Sequence, residues 1–413
     1  MGHDRFDRSG CAGACSSDEP EMPEVSQGGV ENPLNLTPIQ AQWVNNLNRY
    51  SLELSKEVIS RATPGENFFV STLDLMNMYS NLHEFGGLTP YLNVDSERRW
   101  TVFGPMGVDY GIYALTTKLK DYMTATSEDG RNSCMYSGSV WADKSIDRSG
   151  NDTFAGYLKW VAKSKTYDFF ERPQTNEALA SDVDGWLQKK NGAGCQSFGP
   201  IDASQGVFHA LAADFHMVLK DAMTTDESDR DIFYIDNNNQ TPVRPLITEH
   251  GYLVDSKRNT RWSIVTAYEL EDDRYIMYSA TPDKGISAAE LAMSITDDDL
   301  AIWFGKINNP DNRCVTLTPP FDVDLTTSHF TPTQIGRLGL FEIRYPRYVA
   351  QNPDMTYSAS QNVHASLSGG SGNLKIYEDH QAGIFIPFVV LVVEKSTNAL
   401  LLLGIVNQVS TSL

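Results

Sequence analysis

The stretch IFIPFVVLVVEKSTNALLLLGIV (384–406) sets the tightest limit on what this chain can fold into. Two apolar runs, FVVLVV and ALLLLGIV, flank the turn-like EKSTN. Neither run alternates polar with apolar residues, so each reads as a strand buried on both faces. Such a hairpin needs cover on two sides, which demands layers of structure around a sizeable core. The chain can supply one. It has 413 residues, 41% of them hydrophobic, enough for one large domain or two to three smaller ones.

Charge narrows the partners. A formal charge of −20 argues against nucleic-acid backbones and anionic membranes, both of which attract basic surfaces. The longest apolar stretches are far too short to span a bilayer. Residues 1–34 hold no apolar run of signal-peptide type, and MGHDRF lacks the Ser or Thr at position six that myristoylation favours. Cysteines at 11, 15, 134, 195 and 314 form no CxxC and no paired framework, which suits a reducing compartment. Cys11 and Cys15 read as idle tail thiols, and the three N-x-S/T sequons at Asn35, Asn151 and Asn239 as chance. The expected location is inside the cell, in the cytoplasm.

Along the chain, residues 1–35 are polar, Gly/Ser-rich and acidic, and read as an N-terminal tail without a fold of its own. A helix is expected from Thr37-Pro38 onward, with Trp43, Leu47, Tyr50, Leu54 and Val58 on one apolar face. FFVSTLDLMNMYSNL reads as a strand running into a helix that stops at Gly86-Gly87. Residues 152–163 and 176–190 read as helices carrying Phe154, Tyr157, Trp160 and Trp186. Beyond about residue 230 strands take over: DIFYI and TPVRPLI around DNNNQ, then RWSIVTAYEL, DRYIMYSAT and RCVTLTPPF. Helices first, sheets later and no internal repeat give an α+β class in a single large domain, residues 36–413.

No motif for chemistry emerges. GxGxxG after a strand, the P-loop, HExxH and GxSxG are all missing. HALAADFH brings His209, Asp214 and His216 close in sequence, but a helix there would set 209 and 216 two turns apart, which makes a poor metal site. TDDDL (296–300) reads as a solvated helix start. No cofactor is expected, and an enzyme is the least supported class.

Several segments, taken in order, resemble the serpin family of protease inhibitors. IPFVVLVVEKSTNALLLLGIVNQ (386–408) is similar to the closing hairpin of serpins. SLELSKEVISRATPGENFFVST (51–72) resembles their first helix and following strand, with Asn67 and Ser71 on the family's Asn-x-x-x-Ser. SVWADKSI (139–146), VDGWLQKKNG (183–192, with Trp186), FYIDNNNQTPVRPLI (233–247), LTPPF (317–321) and IGRLGLF (335–341) resemble further family segments. The resemblance implies three β-sheets surrounded by eight or nine helices. It also implies, for most members, inhibition of serine or cysteine proteases: cleavage of an exposed loop lets that loop enter the central sheet as a new strand.

The loop itself departs from the family. Aligned on Ala365 and on IPF, the family's Glu-Glu-Gly hinge falls on Ser371, Gly372 and Asn373, inside SLSGGSGNLKIYEDHQ (366–381), which reads as a Gly/Ser-rich flexible segment. Where inhibitors carry small residues, this chain has Leu374, Lys375, Ile376, Tyr377, Glu378 and Asp379. Inserting charged side chains into a sheet costs several kcal/mol each unless they are paired. Asn373 to Phe388 is sixteen residues. That is roughly ten fewer than the family uses, about 33 Å of reach at ~3.3 Å per residue. LAADFHMVL (211–219) keeps only Ala212 and Phe215 of the family's strand beside the insertion site, and its proline after Ser71 is Thr72 here.

The expectation is therefore a non-inhibitory, serpin-like protein acting through protein–protein contacts, in a larger assembly that would also order the tail. Residues 371–378 would be the remnant of a reactive loop. The alternative is an intracellular serine or cysteine protease inhibitor with a scissile bond near Lys375 or Tyr377. A carrier of small apolar ligands is a third class, to which no residue points.

Overall fold

In the computed structural model the described residues are 33–86, 109–125, 134–144, 153–164, 166–171, 175–191, 197–201, 206–224, 231–234, 240–256, 261–330, 357–369, 382–383 and 386–409. In chain order they form α1 (Pro38–Ile59), β1 (Phe68–Ser71), α2 (Thr72–Gly86), α3 (Asp109–Thr124), β2 (Cys134–Ala142), α4 (Thr153–Lys163), β3 (Asp168–Glu171) and α5 (Asn176–Asn191). Then come β4 (Val207–Leu219), β5 (Met223–Thr224), β6 (Asp231–Tyr234), β7 (Gln240–Val243), β8 (Leu246–Asp255), β9 (Trp262–Glu269) and β10 (Tyr275–Pro282). The remainder is α6 (Ala288–Ser294), α7 (Asp297–Ile307), β11 (Arg313–Thr318), β12 (Phe321–Phe330), β13 (Tyr357–Gly369), β14 (Ala382–Gly383), β15 (Phe388–Glu394) and β16 (Ala399–Val406). The described residues thus hold seven α-helices, against the eight or nine that the resemblance implies for the whole chain.

The strands make three sheets. A nine-stranded sheet runs β1-β16-β15-β10-β9-β8-β11-β14, with β5 on β8; a five-stranded sheet runs β12-β13-β4-β2-β3; β6 and β7 form a hairpin. The C-terminal hairpin lies inside the large sheet, every residue of β15 and β16 buried. Its turn is set by Glu394, whose carboxylate accepts from the backbone N–H groups and hydroxyls of Ser396 and Thr397. Asn398 takes the left-handed conformation (φ 61°), which asparagine tolerates. Asn48 of α1 then clasps the turn, donating to the Asn398 carbonyl and accepting from Leu400 N–H, both at 2.7 Å.

The five-stranded sheet has two covered faces. On one, Leu211, Ala213 and Phe215 of β4 with Val363, Ala365 and Leu367 of β13 join the main core shared with the large sheet. On the other, Phe208, Ala210 and Ala212 pack with Leu179, Val183, Trp186 and Leu187 of α5. Trp186 also donates to the Asp168 carboxylate at 2.8 Å. Both parities are buried from Val207 to Phe215, so period 2 is invisible there; beyond it the outward positions open, with His216 exposed and Val218 half-buried.

HALAADFH lies in β4, between β2 and β13, as the resemblance implies for LAADFHMVL, so helical spacing does not apply to His209 and His216. Two expectations need correction. SLSG (366–369) is the last part of β13, hydrogen-bonded to β4 as far as Gly369, and not a flexible segment. TDDDL does start α7, with Thr296 and Asp299 in a reciprocal cap, but Asp299 is buried and takes a two-pronged contact from Arg261 at 2.7 and 2.8 Å. Asn67 and Ser71 do occupy structural posts. Asn67 accepts from the backbone of Asn407 and Gln408 and donates to the Gln408 carbonyl, closing the C-terminal segment onto the start of β1. No helix among the described residues is long and apolar enough to cross a membrane. IGRLGLF and the tail, residues 1–32, lie outside the described residues.

Candidate functional site

The centre of the five-stranded sheet is the seam between β4 and β13. The two strands run parallel and pair in continuous register from Val207↔Tyr357 to Leu219↔Gly369. Each is thirteen residues long. Paired residues project to the same side, so the seam carries one set of side chains toward the core and another toward the α5 side.

On the core side, the Gln361 amide spans from β13 to the junction of β1 and α2. Its Oε1 accepts from the Ser71 N–H at 3.2 Å and its Nε2 donates to the Ser71 carbonyl at 3.0 Å. In the first turn of α2, Asp74 is fully buried and takes a 2.7 Å hydrogen bond from Lys120 of α3. Burial pushes the Asp74 carboxyl above its usual range even though Lys120 opposes the shift. His209, on the same side of β4, is fully buried with its ring 4.5 Å from the Tyr167 ring, edge to face. Burial lowers its pKa to about 3, so it is neutral in the folded protein.

On the opposite side, polar groups cluster past the end of the α5 contact. Asp214 of β4 accepts from two imidazoles, one on each carboxylate oxygen: His364 Nδ1 on β13 at 2.7 Å and His216 Nε2 on β4 at 3.1 Å. His364 Nε2 in turn lies 2.9 Å from the Asp322 carboxylate on β12, and His216 Nδ1 lies 3.1 Å from Ser366 Oγ. Burial alone would raise the Asp214 carboxyl, but the hydrogen bonds and charges of His216 and His364 outweigh it and hold it at about 2. The Asp214 contact is also the main reason His364 is raised to about 9, against a smaller opposing effect of burial. Asp214, His216 and His364 are the one trio among the described residues with a ligand-type atom from each within 4.8 Å of the others.

Strand parity explains which sequence candidates meet. His209 is odd-numbered and faces the core; Asp214 and His216 are even and face outward together. The sequence grouping of 209, 214 and 216 therefore splits. Its missing member is His364, 150 residues from Asp214, brought in by the parallel register. Only a correct pairing of VHAS with ADFH could have revealed it.

The expected loop remnant, Ser371, Gly372, Asn373, Leu374, Lys375, Ile376, Tyr377 and Glu378, lies outside the described residues. Its two attachment points do not. β13 ends at Gly369, paired with Leu219 in the five-stranded sheet, and β14 belongs to the nine-stranded sheet, where it pairs in parallel with β11 through Thr316↔Ala382 and Leu317↔Gly383.

Solved structures with this arrangement exist. Human glycosylated kallistatin superposes with a TM-score of 0.65 at 13% identity, covering 90% of this chain and 99% of its own. The fold is that of the serpins. A serpin of the trematode Schistosoma haematobium (TM-score 0.60, 11% identity, 90% of this chain and 100% of that one) and SRPN18 of Anopheles gambiae (0.62, 16%, 90% and 99%) agree. No family model and no curated protein sequence matches the chain. β4 holds LAADFHMVL, the stretch that by resemblance borders the family's insertion site, and it is hydrogen-bonded to β13 along its whole length.

Proposed function

We propose that this serpin-fold protein acts without catalysis and without inhibition, as a rigid body whose surfaces bind other proteins in an intracellular assembly. The observation that carries this reading is a mismatch of lengths. The seam to be filled is thirteen residues long, while the connection from Gly369 to Ala382, residues 370–381, has twelve. At ~3.3 Å per residue, twelve residues reach about 40 Å and a thirteen-residue strand spans about 43 Å. The connection must also reverse direction before it can enter, which consumes two or more residues. Even a cut at its far end would leave the upper or lower seam unfilled. Lys375, Glu378 and Asp379 add charges that the buried seam does not match. Cys134 and Cys314 are free thiols, in keeping with a reducing compartment.

The second reading, a serine or cysteine protease inhibitor, is favoured by the fold's company: the structures it superposes on include the mouse protein-Z dependent protease inhibitor, with a TM-score of 0.61 at 13% identity. One experiment separates the two. The full chain is incubated with a panel of serine and cysteine proteases, resolved on a denaturing gel, and its clipped form is melted beside the intact one. The proposed function expects cleavage without an SDS-stable protease adduct, and a melting temperature that does not rise on clipping. An adduct, or a clipped form that melts many degrees higher, would show a strand entering the sheet and make the protein an inhibitor.

A further inference from the structure

The α5 side of the seam carries an arrangement that the proposed function does not use. Asp214 is nearly buried (6% exposed) and directs its two carboxylate oxygens at two different imidazoles, one from each strand of the seam. One ligand-type atom from each of Asp214, His216 and His364 lies within 4.8 Å of the others. We propose that Asp214, His216 and His364 form a binding site for a divalent transition-metal cation of the zinc type, which ties β4 to β13.

Three features point to a cation and not only to a hydrogen-bonded trio. The donor set is two imidazole nitrogens and one carboxylate, which suits Zn²⁺ and its neighbours and not Mg²⁺ or Ca²⁺, whose ligands are oxygens. The outward ring nitrogen of each histidine is already held. His364 Nε2 faces the Asp322 carboxylate and His216 Nδ1 faces Ser366 Oγ, leaving His364 Nδ1 and His216 Nε2 turned toward Asp214. Metal-binding imidazoles are oriented in this way, with the second nitrogen donating to a carboxylate or other acceptor. Finally, the ligands sit on paired strands: Asp214 is directly across from His364, and His216 from Ser366. The separations are therefore set by the sheet and not by mobile loops.

The geometry needs little change. A tetrahedral ion ~2.0–2.2 Å from each ligand holds its ligand atoms roughly 3.3–3.5 Å apart. The Asp214–imidazole pairs, at 2.7 and 3.1 Å on different carboxylate oxygens, would open by about 0.2–0.8 Å as the ion replaces the shared protons, and the two ring nitrogens would converge on it from within 4.8 Å. The imidazoles already face each other at an angle of 61° with centroids 5.3 Å apart. His216 is exposed, so water can fill the fourth position. Nothing in this site depends on how residues 370–381 are used. A bound ion would join the two strands that insertion would have to part.

The test is a calorimetric titration of zinc chloride into the chelator-washed full chain, with cobalt(II) as the spectroscopic probe. The expected result is one ion per chain at micromolar affinity or tighter, and a visible cobalt spectrum of four-coordinate intensity. His216→Gln and His364→Gln should each weaken binding by more than 100-fold. Asp322→Asn, at an exposed position that a fold can spare, should weaken it by roughly 10–100-fold while keeping the stoichiometry. No zinc binding at millimolar concentration, or affinity unchanged in Asp322→Asn and in either folded histidine variant, overturns the proposal. Retained far-UV circular dichroism marks a variant as folded, and Asp322→Asn decides the matter should both histidine variants unfold.

Discussion

Gln361 offers the sharpest test of how β13 is held to the body of the protein. The substitution Gln361→Met keeps the length and nearly the volume of the side chain, so it removes hydrogen bonds without opening a cavity. The two hydrogen bonds to Ser71 vanish, the 3.2 Å bond from its N–H and the 3.0 Å bond to its carbonyl, together with the Gln361 contact that helps hold the buried Asp74 carboxyl down. Ser71 is fully buried, so water cannot replace either partner. An orphaned buried polar group costs about 1–3 kcal/mol. The carbonyl has a second lone pair and suffers less than the N–H, which places the expected loss at about 2–4 kcal/mol. Urea unfolding followed by tryptophan fluorescence reads it as a lower midpoint at unchanged slope. Gln361→Ala should lose more, by the added cavity of the missing side chain. A loss below about 1 kcal/mol for the methionine variant would mean that the Ser71 groups find other partners, and that the amide does not anchor the strand.

Two further outcomes are expected. Gly404 of β16 faces Phe69 across the pair β1–β16, and a methyl group there would overlap the Phe69 ring. Gly404→Ala should therefore lower the melting temperature clearly, at a cost of about 1–3 kcal/mol, and an unchanged melt would refute the packing. His209 sets a pH dependence: its folded pKa of about 3 is below the unfolded 6.5, so the unfolded chain alone takes up a proton as pH falls. Stability should be full above 6.5 and fall below it at up to ~1.4 kcal/mol per unit until about pH 3. His209→Leu should flatten that slope between pH 6 and 4, and equal slopes in the two proteins would sink the assignment.

What the sequence revealed follows from how local the cause was. The C-terminal hairpin and the first helix were legible because their signals are short-range: unbroken apolar runs around EKSTN, and a Thr37 cap reciprocated by Gln40. The strand leading into a helix at 68–86 was legible for the same reason. β4 was legible only through the resemblance, since α5 covers one face of its first half and the main core the other, leaving alanines and leucines there without a period. The Gly/Ser start of the connection misled because sheet pairing on both sides overrides weak strand propensity up to Leu367. Asp299 looked solvated because Arg261, its partner, is thirty-eight residues away. The outward cluster was invisible for the strongest version of this reason: His364 and Asp214 meet only after a parallel register across 150 residues is known.

That register also unites the two proposals. Insertion requires β4 and β13 to part, which breaks the hydrogen bonds between them and every side-chain link across the seam. Gln361 ties β13 to the β1–α2 junction on the core side, and Asp214 with His364 ties β13 to β4 on the other. Asp322 extends the second tie to β12, so three strands would have to move against it together. An inhibitor recovers the cost of opening from the strand it gains. On the proposed reading, a twelve-residue connection with three charges returns less than a full thirteen-residue strand, so opening would have a cost and no matching gain. The closed sheet would then be the stable state, and polar links across the seam would deepen it. Zinc addition should make this measurable. If the ion bridges the seam, it should slow hydrogen exchange of the β4 and β13 amides more than those of β15 and β16. Equal slowing in both sheets would place the ion's effect elsewhere.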